Sequence, residues 1–351
     1  MHRRECTEPI AGSGRDPMTA RERVRTAISH KQPDKCPWHF DFTVPAHRRM
    51  VDYTSDPAFA TRLGCHIAGV DPVAPDAWVE LATDMWRDQF GVIWNRTIDK
   101  DIGNPDGAVF PEPSLGEYVW PDPDDERRWE HFGDAVDAAS DRFVVVHVGF
   151  SLFERAWTMR GMPRLMVDFI DHPRFVEELL DAIVEFNLGL IRRGTQYPVD
   201  GVMFGDDWGQ QQGMLMGPRL WRQFIKPRLA RMYAAVHSAG KHVVIHSCGD
   251  VKEIFPDLIE IGVDVFNPFQ PEVIDVFWAK REYGRDLSFF GGVSTQQLLP
   301  YGTPREVKEQ AHRLMEEIGR DGGYILAPAH AIPGDVPAEN IEALIEAVHE
   351  Q

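Results

Sequence analysis

From residue 140 onward, short runs of β-branched and aromatic residues alternate with longer stretches whose apolar positions recur every three or four residues. The short runs predict strands at 142–148 (RFVVVHV), 201–207 (GVMFGDD), 241–247 (KHVVIHS), 264–269 (DVFNPF), 287–292 (LSFFGG) and 324–329 (YILAPA). Between them, HPRFVEELLDAIVEFNLGLIRRG places Phe175, Leu179, Ala182, Ile183, Phe186 and Leu190 on one helical face. Strand followed by helix, repeated, predicts an α/β fold with a parallel sheet and crossover helices. Upstream, TARERVRTAISHK reads as a helix, KCPWHFDF (35–42) as a first strand, and the region near 66–80 as a second. Eight strands is the number that closes a (β/α)8 TIM barrel. Residues 86–125 break the pattern, and their Asn-Pro-Asp-Gly between alternating runs predicts an inserted antiparallel hairpin. With no repeat or low-complexity linker, residues 18–351 are expected to form a single domain behind a flexible N-terminal tail, 1–17.

The stretch HVVIHSCGD (242–250) ends a strand with His246 and Cys248 two apart. Residues i and i+2 of a strand point the same way, so this imidazole and thiol aim together at the catalytic mouth of a barrel. They are two of the three protein ligands that a catalytic zinc ordinarily has. The plainer alternative is a hydrogen-bonded barrel histidine beside a small buried cysteine. Other strand ends add candidates. Asp206 and Asp207 are adjacent, so one of them is expected to face the mouth as general base, histidine partner or substrate anchor. His39, Asp41 and His147 are placed to reach the same mouth, Asn267 and Gln270 are candidate substrate amides, and Gly292 in FFGGVSTQ offers backbone for an anion.

Composition narrows the partners. Asp+Glu 55 against Lys+Arg 37 gives a net charge of -18, which repels nucleic acid and anionic membrane surfaces and leaves a small molecule as the expected ligand. Four unpatterned cysteines argue against a disulfide framework and for a reducing cytoplasm. No apolar run approaches the roughly 18 residues of a membrane span.

The segments GDDWGQQQGMLMGPRLWRQF, HVVIHSCGDVKEIFPDLIEIGVDVFNPFQPE, FFGGVSTQQLLPYGTPREVKEQ and APAHAIPGDVPAENIEAL give the chain a resemblance to the uroporphyrinogen decarboxylase superfamily. It covers about residues 18–349, is strongest after 200, and points to the corrinoid-dependent methyltransferase branch. The resemblance implies a (β/α)8 barrel and a zinc that presents a bound thiol as thiolate to a methylated corrinoid. His246 and Cys248 match that branch's His-x-Cys, whereas His330 stands where the branch carries a second cysteine. Imidazole in place of thiolate raises the site's charge by one and makes the metal a stronger Lewis acid, which favours an oxygen ligand and leaves open which divalent transition metal is bound. No Asp-x-His-x-x-Gly corrinoid motif is present in the sequence, so a corrinoid would come on a partner protein. The decarboxylase proper holds its polyanionic substrate with arginines in an RQAGRY-like motif. Here that place reads FDFTVPAHRRM, whose Arg48 and Arg49 are expected on a solvated helix, so uroporphyrinogen is not expected as substrate. The expectation is a zinc-dependent methyltransferase acting between a corrinoid and a small acceptor, with room for a homo-oligomer. Two alternatives stay open: a metal-dependent lyase or decarboxylase acting on a small organic acid, and a metal-free binding subunit.

Overall fold

The computed structural model describes residues 17–351, so all but the last residue of the expected tail lies outside it. Seven parallel strands form one curled sheet: β1 (Ile67–Val70), β6 (Phe143–Val148), β7 (Gly201–Gly205), β10 (His242–His246), β11 (Val265–Phe269), β12 (Ser288–Val293) and β13 (Tyr324–Pro328), neighbours in that order. Six of them coincide with the strands predicted from 140 onward, and β8 (Gly209–Gln210) and β9 (Gly213–Met214) form a separate short antiparallel pair after β7. The sheet is buried on both faces, which is why its strands read as nearly continuous apolar runs. On β6, Phe143 and Val145 point into the barrel, where they pack with Ile67, Val244, Val265, Phe290 and Ile325. Val144 and Val146 point out to the main core beneath the helices. The helix Ala20–Ile28 adds Val24 and Ile28 to the interior cluster. Thr19 and Glu22 start that helix with a reciprocal capping box.

The expected first strand is irregular. Residues 37–42 span the space between β13 and β1 by isolated parallel bridges, Trp38 to Leu326 and Phe42 to Ile332. Leu326 donates to the Pro37 carbonyl at 2.9 Å and His39 donates to that of Leu326 at 3.0 Å. On the β1 side the His66 N–H reaches the Trp38 carbonyl at 3.0 Å, but the Phe40 N–H turns to the Cys65 sulfur at 3.4 Å. A thiol thus stands where a ladder carbonyl would, and the strand pattern lapses.

The insertion is an antiparallel sheet of four strands, β2 (Trp78–Ala82), β3 (Met85–Asp88), β4 (Ile93–Asn95) and β5 (Asn104–Asp106). This corrects the expected hairpin turn: Asn104–Asp106 is itself the edge strand, where Pro105 opposite Trp94 can sit because an edge needs no further donor. Asp88 fastens the insertion to the barrel. Its carboxylate accepts from the N–H groups of Phe90 and Val92, both at 2.9 Å, from the Trp94 indole at 3.1 Å, and from Arg155 at 2.6 Å. Arg155 lies on the helix Phe153–Arg160 after β6, with its guanidinium 4.1 Å from the Phe90 ring centroid. Among the described residues no helix is long and apolar enough to cross a membrane.

Both members of this pair are buried, so removing one strands the other's charge. Asp88→Ala is expected to cost about 3–5 kcal/mol of stability in urea denaturation, and Arg155→Met less, since it leaves a carboxylate with three other donors.

Candidate metal centre

The site is assembled where strands end. β10 stops at His246, and Ser247 turns outward, fully buried, to accept from the Trp208 N–H at 3.1 Å. Cys248 therefore returns to the side of His246, with its sulfur 3.3 Å from His246 Nε2. His330 follows β13, and although two strands separate β10 from β13, its ring centroid lies 5.9 Å from that of His246. One ligand atom from each of His246, Cys248 and His330 lies within 4.8 Å of the others. The predicted trio thus converges over the barrel mouth.

The protonation of His246 is set by its neighbours. β10 and β11 pair His246 with Asn267, whose Nδ2 donates to the Phe290 carbonyl at 2.9 Å. A carbonyl only accepts, so the Asn267 Oδ1 must face His246 Nδ1, at 2.6 Å, and that nitrogen carries the hydrogen. The Nε2 lone pair is left toward Cys248. Burial holds the imidazole below its usual pKa against the pull of Asp207, which favours the neutral form that binds metals. Asn267, expected as a substrate amide, lines the larger cavity and uses its side chain to orient His246 against the Phe290 carbonyl.

Asp207 is the inward-facing member of its pair. Its Oδ1 accepts from the Cys248 N–H at 2.7 Å and lies 3.8 Å from His246 Nε2. Asp206 is fully buried and takes no part in the mouth. It accepts from the N–H groups of Leu152 at 3.2 Å and Glu154 at 2.8 Å, and from the Trp208 indole at 2.5 Å. It thereby fixes the start of the helix after β6, so its candidacy as a catalytic acid or base is corrected to a structural role. Burial raises its pKa to about 6, against those hydrogen bonds.

Glu154 was not anticipated. Burial, then the charges of Asp207 and Asp206, push its carboxyl well above the usual range. Burial, Asp207 and Glu154 likewise push the Cys248 thiol up. Arg155 offsets part of the charge at Glu154, and a divalent cation held by the trio would offset the remaining carboxylate charge and allow the sulfur to ionise. Two imidazoles and a thiolate suit zinc or a neighbouring transition metal and leave one position free.

Two cavities meet at the trio. The larger, about 1180 Å³, is lined by His246, His330 and Asn267 and by the expected His39, Asp41 and His147. His147 Nδ1 pairs with Asp71 at 2.7 Å, and His39 Nε2 with Asp41 at 3.2 Å. Burial opposes the charge of His39, but Asp41 and neighbouring Cys65 lift it to about 10. The smaller cavity, about 310 Å³, is lined by Cys248, His330 and the expected Gln270. Gly292 belongs to neither. At φ +101° its missing Cβ would fall 2.6 Å from the Tyr324 hydroxyl, so it makes room for a core side chain and not for an anion.

Known proteins bear on this geometry. The family described as "Uroporphyrinogen decarboxylase (URO-D)" matches residues 102–351. A solved methyltransferase from Methanosarcina mazei superposes with a TM-score of 0.71 over 95% of this chain and 99% of its own, at 21% identity, which shows a shared fold. A methylated-thiol–coenzyme M methyltransferase of Methanosarcina mazei is 28% identical over 103 residues, 29% of this chain and 26% of that enzyme. A uroporphyrinogen decarboxylase of Pseudoalteromonas translucida is 31% identical over 77 residues, 22% of this chain and 21% of that one. The matched stretches span about a quarter or less of these curated relatives.

Two outcomes follow from the hydrogen bonds. Asn267→Ala should weaken zinc binding by about 10–100-fold in a chelator competition, because the His246 tautomer is no longer imposed. The Asp206 carboxyl keeps its proton to about pH 6 when folded, against an ordinary 3.8, so the stability it contributes is lost as pH rises between those values. The stability difference between Asp206→Asn and the unaltered protein should therefore shift in the variant's favour across that window, by at most about 1.4 kcal/mol per pH unit, and stay flat above it.

Proposed function

Because the chain belongs to the uroporphyrinogen decarboxylase (URO-D) family, we propose that it is a metal-dependent methyltransferase of that superfamily. It moves a methyl group between a corrinoid carried by a partner protein and a small acceptor. The observation that carries the reading is the convergence of His246, Cys248 and His330 within 4.8 Å at the meeting of two cavities. The name of the Methanosarcina mazei relative, a methyltransferase, supports it. So does the position of the only arginines near the decarboxylase motif: Arg48 and Arg49 lie on the exposed side of the helix Val44–Thr54, and neither lines a cavity. The same proposal includes a closed (β/α)8 barrel with residues 37–42 as its eighth staves, one domain over 18–351, and a cytoplasmic location.

A divalent ion, zinc or another transition metal, would be held by the trio and supply the Lewis acidity that eases loss of the acceptor's proton. The chain's own groups prepare for this. Asn267 presents His246 as a neutral donor, and Asp207 holds the Cys248 backbone. His330, itself exposed, supplies a neutral ligand in place of the cysteine that the resemblance leads one to expect. That exchange favours oxygen acceptors over thiols.

The test is transfer from methylcobalamin to a panel of thiols and alcohols, followed by corrinoid absorbance. Stoichiometric metal is expected in the unaltered protein. Cys248→Ser and His330→Ala should lose it and slow transfer by more than about 100-fold. His330→Cys should keep metal and raise the rate with thiols relative to oxygen acceptors. Transfer that persists without metal would overturn the reading. No transfer by fully metallated protein would turn it to a lyase or decarboxylase of a small organic acid, with Asp207 the first proton-transferring group to replace.

A further inference from the structure

We propose that the smaller cavity is the acceptor subsite and that it takes an uncharged, hydrogen-bonding acceptor. The inference rests on the methyl-transfer reading above and adds the chemical class of the molecule transferred to. The two cavities that share His330 differ in kind. The larger contains the Asp41–His39 and Asp71–His147 pairs and the guanidinium groups of Arg127 and Arg128. The smaller has Cys248 and His330 as its metal-facing side, and the rest of its polar lining is Thr43, Gln210, Gln211, Gln270, Thr295 and Gln296. Among the described residues, no Asp, Glu, Lys or Arg lines it.

That lining decides what can bind. A charged group on the acceptor's far end, held away from the ion-facing wall, gives up hydration and meets no side-chain counter-charge in the lining, which is costly. An anion would also approach Asp207 and Glu154 behind Cys248, in a protein of net charge -18. Hydroxyl and amide groups, by contrast, find matching donors and acceptors on four side-chain amides and the Thr295 hydroxyl, the Thr43 hydroxyl being engaged as a helix cap. Gln270 is the best held of these. It is 5% exposed, its Oε1 accepts from the Gly249 N–H at 3.3 Å, and among the described residues its amide nitrogen has no protein partner. That nitrogen is left as a donor for a ligand.

The floor is backbone. A Cβ on Gly249 would fall 2.3 Å from the Gly209 carbonyl carbon, and one on Gly209 would fall 2.6 Å from the Cys248 carbonyl oxygen. The two loops touch at glycines beneath the sulfur, and the Asp250 N–H adds a bond to the Gln210 carbonyl at 2.9 Å. A cavity of about 310 Å³ is at the low end for small-molecule sites, which suits an acceptor of few atoms.

The experiment compares three thiols of similar size, 2-mercaptoethanol, 3-mercaptopropionate and cysteamine, by calorimetric affinity for the zinc-loaded protein and by transfer rate from methylcobalamin. The neutral thiol should bind at least about tenfold more tightly than either charged one. Gln270→Leu should weaken the neutral thiol about tenfold without loss of zinc, and Gln296→Arg should shift the preference toward 3-mercaptopropionate. Equal or tighter binding of a charged thiol to the unaltered protein would overturn the proposal. So would an unchanged ranking in Gln296→Arg, or neutral-thiol affinity that does not respond to Gln270→Leu. Affinity is read apart from turnover, so failure of methyl transfer with the ranking intact counts against the reaction and not the subsite. Transfer that proceeds with the ranking reversed counts against the subsite alone.

Discussion

A single carbonyl governs the chemistry of the mouth. The Phe290 oxygen can only accept, so it claims the amide hydrogens of Asn267, and everything beyond is forced: the Asn267 oxygen faces His246, His246 is protonated on Nδ1, and Nε2 is free. This chain of two hydrogen bonds crosses three adjacent parallel strands. It exists because the register of β10 on β11 sets His246 beside Asn267. A slip of one residue would turn Asn267 out of the barrel and leave the histidine free to choose its tautomer. The register in turn rests on which apolar side chains of each strand fill the interior and which pack beneath the helices, so the packing of the sheet and the protonation of His246 are two ends of one argument.

Around that fixed donor, two carboxylates and a buried thiol stand close together. Asp207 and Glu154 lie beside a thiol that burial already keeps protonated. Each of these features would be a liability in a site of neutral chemistry, since buried like charges raise one another's proton affinity. Together they suit a divalent ion, whose charge relieves them all. The ionic pairs across the larger cavity, His39 with Asp41 and His147 with Asp71, are by contrast balanced within themselves.

The regular parts of the barrel were legible because strands buried on both faces read as short continuous apolar runs bounded by Gly, Pro and polar residues, and the His-x-Cys pair was legible because the two-residue period of a strand sends both side chains one way. Reading failed where long-range contacts replace local pattern. Residues 37–42 look like a strand, yet the Cys65 sulfur intrudes into their ladder. Asn-Pro-Asp-Gly looks like a turn, but pairing with Ile93–Asn95 makes it an edge. Asp206 and Asp207 are equivalent in sequence, and only the helix start that needs a buried acceptor tells them apart. Glu154 sits at the head of a helix after a strand end, a position that marks the mouth, but its approach to Cys248 depends on the fold as a whole. Gly292 suggested an anion nest, whereas Tyr324, distant in sequence, required the space.

The glycine-to-glycine contact under Cys248 also bears on how such a site changes over generations. With Gly249 pressed against Gly209, any added carbon would drive the two loops apart and carry the sulfur with them. That half of the candidate trio is closed to drift. The side chain of His330 is exposed, between the buried Ala329 and Ile332, so it can be exchanged for another donor with less repacking than the glycine contact allows. Here the chain departs from the ligand set that its resemblance implies at the one position where its own architecture makes novelty inexpensive.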